Sequence, residues 1–132
     1  MKSTAMFCPG FRLSVRDIVV LVLGAIASIL AARVELWMGA VIGFTVGHFF
    51  LFCNVFRMAR TLELIWAAIF LGLAGSSILY QVPVWYITFS VSLLATVVLV
   101  IVQIRKPSYH GIYWKRINPN LPQWWEQQGN AR

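Results

Sequence analysis

The chain is short of charge. Only 11% of its 132 residues are Asp, Glu, Lys or Arg, and just four of these are acids, against about 25% charged residues in an average soluble domain. With 60% hydrophobic residues, the polar surface is too small to cover a water-soluble monomer. This composition excludes a soluble enzyme, and it excludes a disordered chain, which needs low hydrophobicity. Cysteine is also scarce. Cys8 and Cys53 are the two present, too few for a disulfide scaffold. Cys53 falls inside an apolar run and Cys8 precedes the first, so a mutual disulfide is not expected, and their spacing suits no metal. Nucleophile elbow, HExxH, phosphate-binding glycine loop and CxxC are all missing. No catalytic residue and no metal centre is expected.

What the chain does have is four long apolar runs. At 1.5 Å of rise per residue a bilayer takes about 20 apolar residues, and spans at about 15–32, 36–56, 62–80 and 84–104 use most of the sequence. The expected architecture is all-α, a four-helix transmembrane bundle running up-down-up-down. A tail over 105–132 follows, leaving no length for a separate catalytic domain. Ser14 followed by Asp17 reads as a capping box for the first helix. Thr61 is placed to cap the third, with Glu63 in its first turn. Pro83 precedes the fourth, where a missing backbone donor costs little. Lys2, Arg12 and Arg16 before an apolar run ending near Ala25-Ile26-Ala27 imitate a secretory signal. The run is expected to stay as a span.

Net charge is +7, which in a soluble protein would suggest nucleic acid. Here the basic residues flank the apolar runs, where they set topology and meet anionic lipid headgroups, so no nucleic-acid partner is expected. Lys2, Arg12 and Arg16 precede the first span, Arg57 and Arg60 lie in the second turn, and Arg105, Lys106, Lys115, Arg116 and Arg132 lie in the tail. Arg33 alone falls in the first turn. With both ends cytoplasmic, every basic residue but Arg33 lies inside, as the positive-inside rule demands. A bacterial inner membrane is the expected location.

Within hydrocarbon, helices associate through close packing and side-chain hydrogen bonds, so small and polar stripes mark contacts. Helix two carries Gly39, Gly43 and Gly47, with Asn54 on the same face; helix three carries Gly72 and Ser76; helix four carries Ser92 and Thr96. These stripes either face one another in the bundle core, or the glycines of helix two receive another chain.

His48 is the lone histidine within a span, and intramembrane ionisable residues are functional candidates by default. It shares a helix face with Phe44 and Phe52. It would either ligate a haem or chlorophyll-type pigment, or stand as a neutral, hydrogen-bonded core residue. Asp17, Arg57, Arg60 and Glu63 should gather at the inner ends of the helices, either as the start of an ion path or with Asp17 and Glu63 capping helices and pairing with Arg57 or Arg60 at the headgroups.

The tail differs in composition. Pro107, Pro119 and Pro122 prevent a long helix, while Tyr109, Tyr113, Trp114, Trp124 and Trp125 suit a headgroup layer or a protein partner. Together these features point to a non-enzymatic accessory, assembly or scaffold subunit of a larger membrane complex, whose partners are lipid and other membrane subunits or itself. A small homo-oligomeric transporter or channel, and a pigment-binding subunit using His48, are the competing classes.

Overall fold

The computed structural model describes residues 7–131; Lys2 and Arg132 of the charge pattern lie outside the described residues. The chain is 76% helix, with no strand among the described residues. The long helices are α1 (Val15–Val34), α2 (Leu36–Phe50), α3 (Arg60–Tyr80) and α4 (Trp85–Ile104), followed by the short α5 (Trp114–Ile117) and α6 (Leu121–Asn130). A π-turn at Leu51–Val55 extends α2, so that four helical units of 20 or 21 residues are long and apolar enough to cross a membrane. Their outward residues, Leu23, Leu71, Leu79 and Leu94 among them, are exposed and aliphatic. Lipid is the solvent that tolerates such a surface. The chain is a multi-pass membrane protein.

Local chemistry sets the helix starts. Ser14 caps α1: its backbone N–H and its hydroxyl both donate to the Asp17 carboxylate at 2.7 Å, and Asp17 N–H donates back to Ser14 Oγ at 3.3 Å. The turn between α1 and α2 is shorter than the 33–35 that the expected span bounds leave. Helix α1 runs through Val34, and Glu35 alone, in extended backbone, ends one helix and begins the next. Thr61 does not cap α3. The helix begins earlier, after Ala59, whose N–H donates to Gln103 Oε1 of α4 at 3.3 Å. That bond ties the start of α3 to the end of α4. Pro83 precedes the N-cap Val84, and the hydroxyls of Ser76 and Ser77 donate to the Val82 and Pro83 carbonyls in the same turn.

The helices pack in two different ways. Helix α1 lies close against α2 through small residues: Ser28 Oγ donates to the Gly39 carbonyl at 2.7 Å, and a Cβ added at Gly39 would fall 2.4 Å from that of Ala32. No residue of α1 is fully buried, so it rests on the outside of the bundle. Helices α2, α3 and α4 meet instead through large rings. Phe44 packs against Phe70 at 5.4 Å and Phe89 at 4.9 Å, and Trp66 stacks on Phe70 at 5.1 Å. At the other end Trp37 stacks on Trp85 at 4.8 Å, joining the starts of α2 and α4.

Helix α3 departs from the expected small-residue contact. Its buried face is Leu62, Trp66, Phe70, Ala74 and Ser77, while Gly72 is exposed and Ser76 is half-buried. Bulky rings form many dispersion contacts, and the Trp66 indole N–H needs an acceptor where no water is present. Both demands turn this face inward. The α4 stripe does face the core: Thr88, Ser92, Thr96 and Gln103 are buried.

Residues beyond α4 fold back under the bundle. Ile112 N–H donates to the Val55 carbonyl at 2.8 Å, Gly10 N–H donates to the His110 carbonyl at 2.7 Å, and Phe7 packs on Trp114 and Trp125. Tyr109 and Leu121 are fully buried, with Tyr109 Oη donating to the Ile112 carbonyl at 2.8 Å. The aromatic residues anticipated for lipid or for a partner are therefore partly used within the chain.

Candidate functional site

Two places gather the polar residues. The first is His48, in the middle of the aromatic layer. Its Nδ1 donates to the Phe44 carbonyl one turn earlier at 2.8 Å, so that in the neutral ring Nε2 is the acceptor nitrogen. Nε2 is buried with no partner among the described residues. The ring lies 4.6 Å from Trp66 and nearly parallel to it, with Phe44 at 4.1 Å and Phe52 at 5.7 Å. A macrocycle binding Nε2 would need one of these rings to move aside.

Hydrogen bonds across the α3–α4 seam explain the polar stripe of α4. Trp66 Nε1 donates to Thr96 Oγ1 at 2.9 Å and to the Ser92 carbonyl at 3.2 Å, and Ser77 and Thr88 share a bond of 2.8 Å. Ser92 Oγ and Thr96 Oγ1 donate to carbonyls one turn back in their own helix. These hydroxyls are satisfied by protein.

The second place is the end of the bundle where α2 and α4 stop and α3 begins. An open groove of about 400 Å³ is lined by Arg57, Arg60, Glu63, Gln103, Ser108 and His110, with Cys53 at its side. The π-turn shapes it. Met58 N–H donates to the Phe52 carbonyl and Ala59 N–H to Gln103, which leaves the Asn54 and Val55 carbonyls free for Arg12 N–H and Ile112 N–H. Arg57 adopts a left-handed backbone, φ 47°, unusual for a residue with a Cβ. Its carbonyl accepts from Gln103 Nε2, and its guanidinium donates to the Cys8 carbonyl. Burial, and then the neighbouring Arg12, lower the Arg57 pKa from its ordinary value; a guanidinium nevertheless stays charged at physiological pH.

Glu63 accepts from Cys53 Sγ at 3.1 Å, so a thiol is its hydrogen-bond partner where an arginine was anticipated. Asp17 lies on the α1 side, where, with its amide turned, Asn54 donates to Asp17 Oδ2 at 3.2 Å and to the Arg12 carbonyl at 3.1 Å. Arg57, Arg60 and Glu63 thus share the groove, and Asp17 pairs with Asn54 beside it. Of the glycines, Gly39 and Gly43 face α1, while Gly47, Gly72 and Gly75 have nothing within 4 Å of an added Cβ. The sequence reading missed Trp66 as the centre of the core. Its signal was present in the spacing Leu62, Trp66, Phe70, one apolar ring or branch per turn. Ser108 and His110 gave no signal, because only the fold-back of the chain brings them to the groove. Both cysteines are free thiols.

Comparison with protein-family models, with curated proteins and with solved structures returns no match.

Proposed function

We propose that this chain is a non-enzymatic accessory, assembly or scaffold subunit of a larger membrane protein complex. It crosses a bacterial inner membrane up-down-up-down, with both ends and the 105–132 tail in the cytoplasm. The observation that carries this reading is the filled interior. Phe44, His48, Phe52, Trp66, Phe70 and Phe89 pack ring against ring at mid-bundle, a layer that leaves the α4 hydroxyls facing protein. Work done through an internal route or an internal cofactor would have to open that layer, so surfaces are the better place to look for activity.

Two further features support the same reading. Gly47 on α2 and Gly72 and Gly75 on α3 leave backbone open on outward faces, where another helix can approach closely. The outer turns are short, which leaves the cytoplasmic side as the region with room for contacts. Solubilisation in mild detergent, followed by identification of co-eluting proteins, tests the proposal. A stoichiometric integral membrane partner is expected, and a clean monomer that elutes alone would overturn it.

A further inference from the structure

The groove where α2 and α4 end and α3 begins holds charges of both signs. Two guanidinium groups, Arg57 and Arg60, line it together with the Glu63 carboxylate. Arg60 is exposed, and Arg57 commits one Nη1 donor to the Cys8 carbonyl, leaving four of its five. On Glu63, Oε1 accepts the Cys53 thiol; a carboxylate has a second oxygen with its own lone pairs. His110 Nδ1 donates to the Ser108 carbonyl at 2.8 Å, which leaves Nε2 as the ring nitrogen to face a ligand. Ala59, the N-cap of α3, contributes no side-chain cap, so the positive end of a 21-residue helix points toward the same space.

Position decides what fills such a groove. Arg60 is the first residue of one span and Gln103 is among the last of another, which puts the groove at the level of lipid phosphates, the most concentrated polar ligand available there. Its volume, about 400 Å³, lies within the roughly 300–1,000 Å³ of small-molecule sites. A simple anion would satisfy the two arginines and be repelled by Glu63. A ligand carrying a phosphate diester and a primary ammonium on one short link would satisfy both.

We infer that this groove binds the phosphoethanolamine headgroup of a glycerophospholipid, with the phosphate held by Arg57 and Arg60 and the ammonium by Glu63 and His110. The guanidinium fork matches two phosphate oxygens, and the ammonium offers three N–H donors to the acceptors opposite. Phosphatidylcholine has the same charges and no N–H donor; phosphatidylglycerol has the phosphate and no cation. The inference rests on the chain's place in the membrane and not on a protein partner, so an empty co-elution leaves it standing.

The test uses the delipidated full chain in detergent, titrated by native mass spectrometry with phosphatidylethanolamine, phosphatidylcholine and phosphatidylglycerol of matched acyl chains. Phosphatidylethanolamine is expected to bind about tenfold tighter than the other two, the size of one charge-assisted hydrogen bond. Arg60→Gln should weaken all three lipids alike. Glu63→Gln, which keeps an oxygen for Cys53, should weaken phosphatidylethanolamine most, leave phosphatidylglycerol no weaker, and erase the preference of phosphatidylethanolamine over phosphatidylglycerol. Soluble glycerophosphoethanolamine should displace bound lipid at concentrations where inorganic phosphate does not. Equal affinity for the three lipids, full binding by Arg60→Gln, or displacement by inorganic phosphate equal to that by glycerophosphoethanolamine would each overturn the inference. Should a variant lose helicity, the ratio of phosphatidylethanolamine to phosphatidylcholine binding by the unaltered chain decides the matter.

Discussion

Trp66 joins the two kinds of order in the bundle. Its ring stacks between His48 and Phe70, and its N–H reaches Thr96 and the Ser92 carbonyl on α4. Trp66→Phe keeps the stacking and loses the hydrogen bonds; Thr96 Oγ1 still donates to the Ser92 carbonyl, so no hydroxyl is orphaned. The expected cost is about 1 kcal/mol. Trp66→Ala removes the ring and should cost about 3–5 kcal/mol. Thermal unfolding in micelles, followed by near-ultraviolet circular dichroism, measures both. Tyr109, in the fold-back and outside the spans, has its pKa raised by burial above the ordinary 10.0. A phenol that resists ionisation in the folded chain binds more protons there than in the unfolded chain, so the contribution of Tyr109 to stability is fully present below pH 10.0 and is lost as pH rises past it. The fold-back should loosen under alkali, seen as delayed tyrosinate absorbance, and Tyr109→Phe should remove that delay. At this scale the sequence was readable for Ser14 and Asp17, whose bond is local, and unreadable for Glu63, whose thiol partner arrives from another helix.

At the scale of the elements, the glycines separate into two groups that sequence spacing cannot distinguish. Gly39 is buried against α1, where a Cβ would collide with the Ser28 carbonyl as well as with Ala32. Backbone cannot yield as a side-chain tip can. Gly39→Val should therefore pry α1 from α2 and lower the unfolding midpoint. Gly72→Ala meets open space and replaces a poor helix former with the best one, so midpoint unchanged or raised is expected. Comparing the two in the same thermal assay checks the assignment, since a glycine stripe that is wholly internal would make both harmful. The four spans were legible to within about two residues at each end, because hydropathy and bilayer thickness act on the whole segment. The π-turn was not legible. Its widened carbonyls are held by Arg12 and Ile112, residues far off in sequence, and no local pattern encodes that.

Taken whole, the described residues form an aromatic centre made by α2, α3 and α4, with α1 laid on its small-residue side and the C-terminal residues folded against the end where α2 and α4 stop. The charge pattern carries a direct test of the proposed topology. Reporter tags at the two ends should appear on the same, cytoplasmic side, and moving basic residues into the outer turns should disturb insertion; tags on opposite sides would refute the topology. Composition alone determined that oil is the solvent for most of this chain, and hydropathy alone determined four helices long and apolar enough to cross a membrane, since both follow from sums over many residues. Which face of each helix turns inward was decided only in the tertiary structure. A helix in lipid has no hydrophobic drive to orient it, so contact between particular side chains does so. The indole of Trp66 against α4 and the bare backbone of Gly39 against α1 set those rotations.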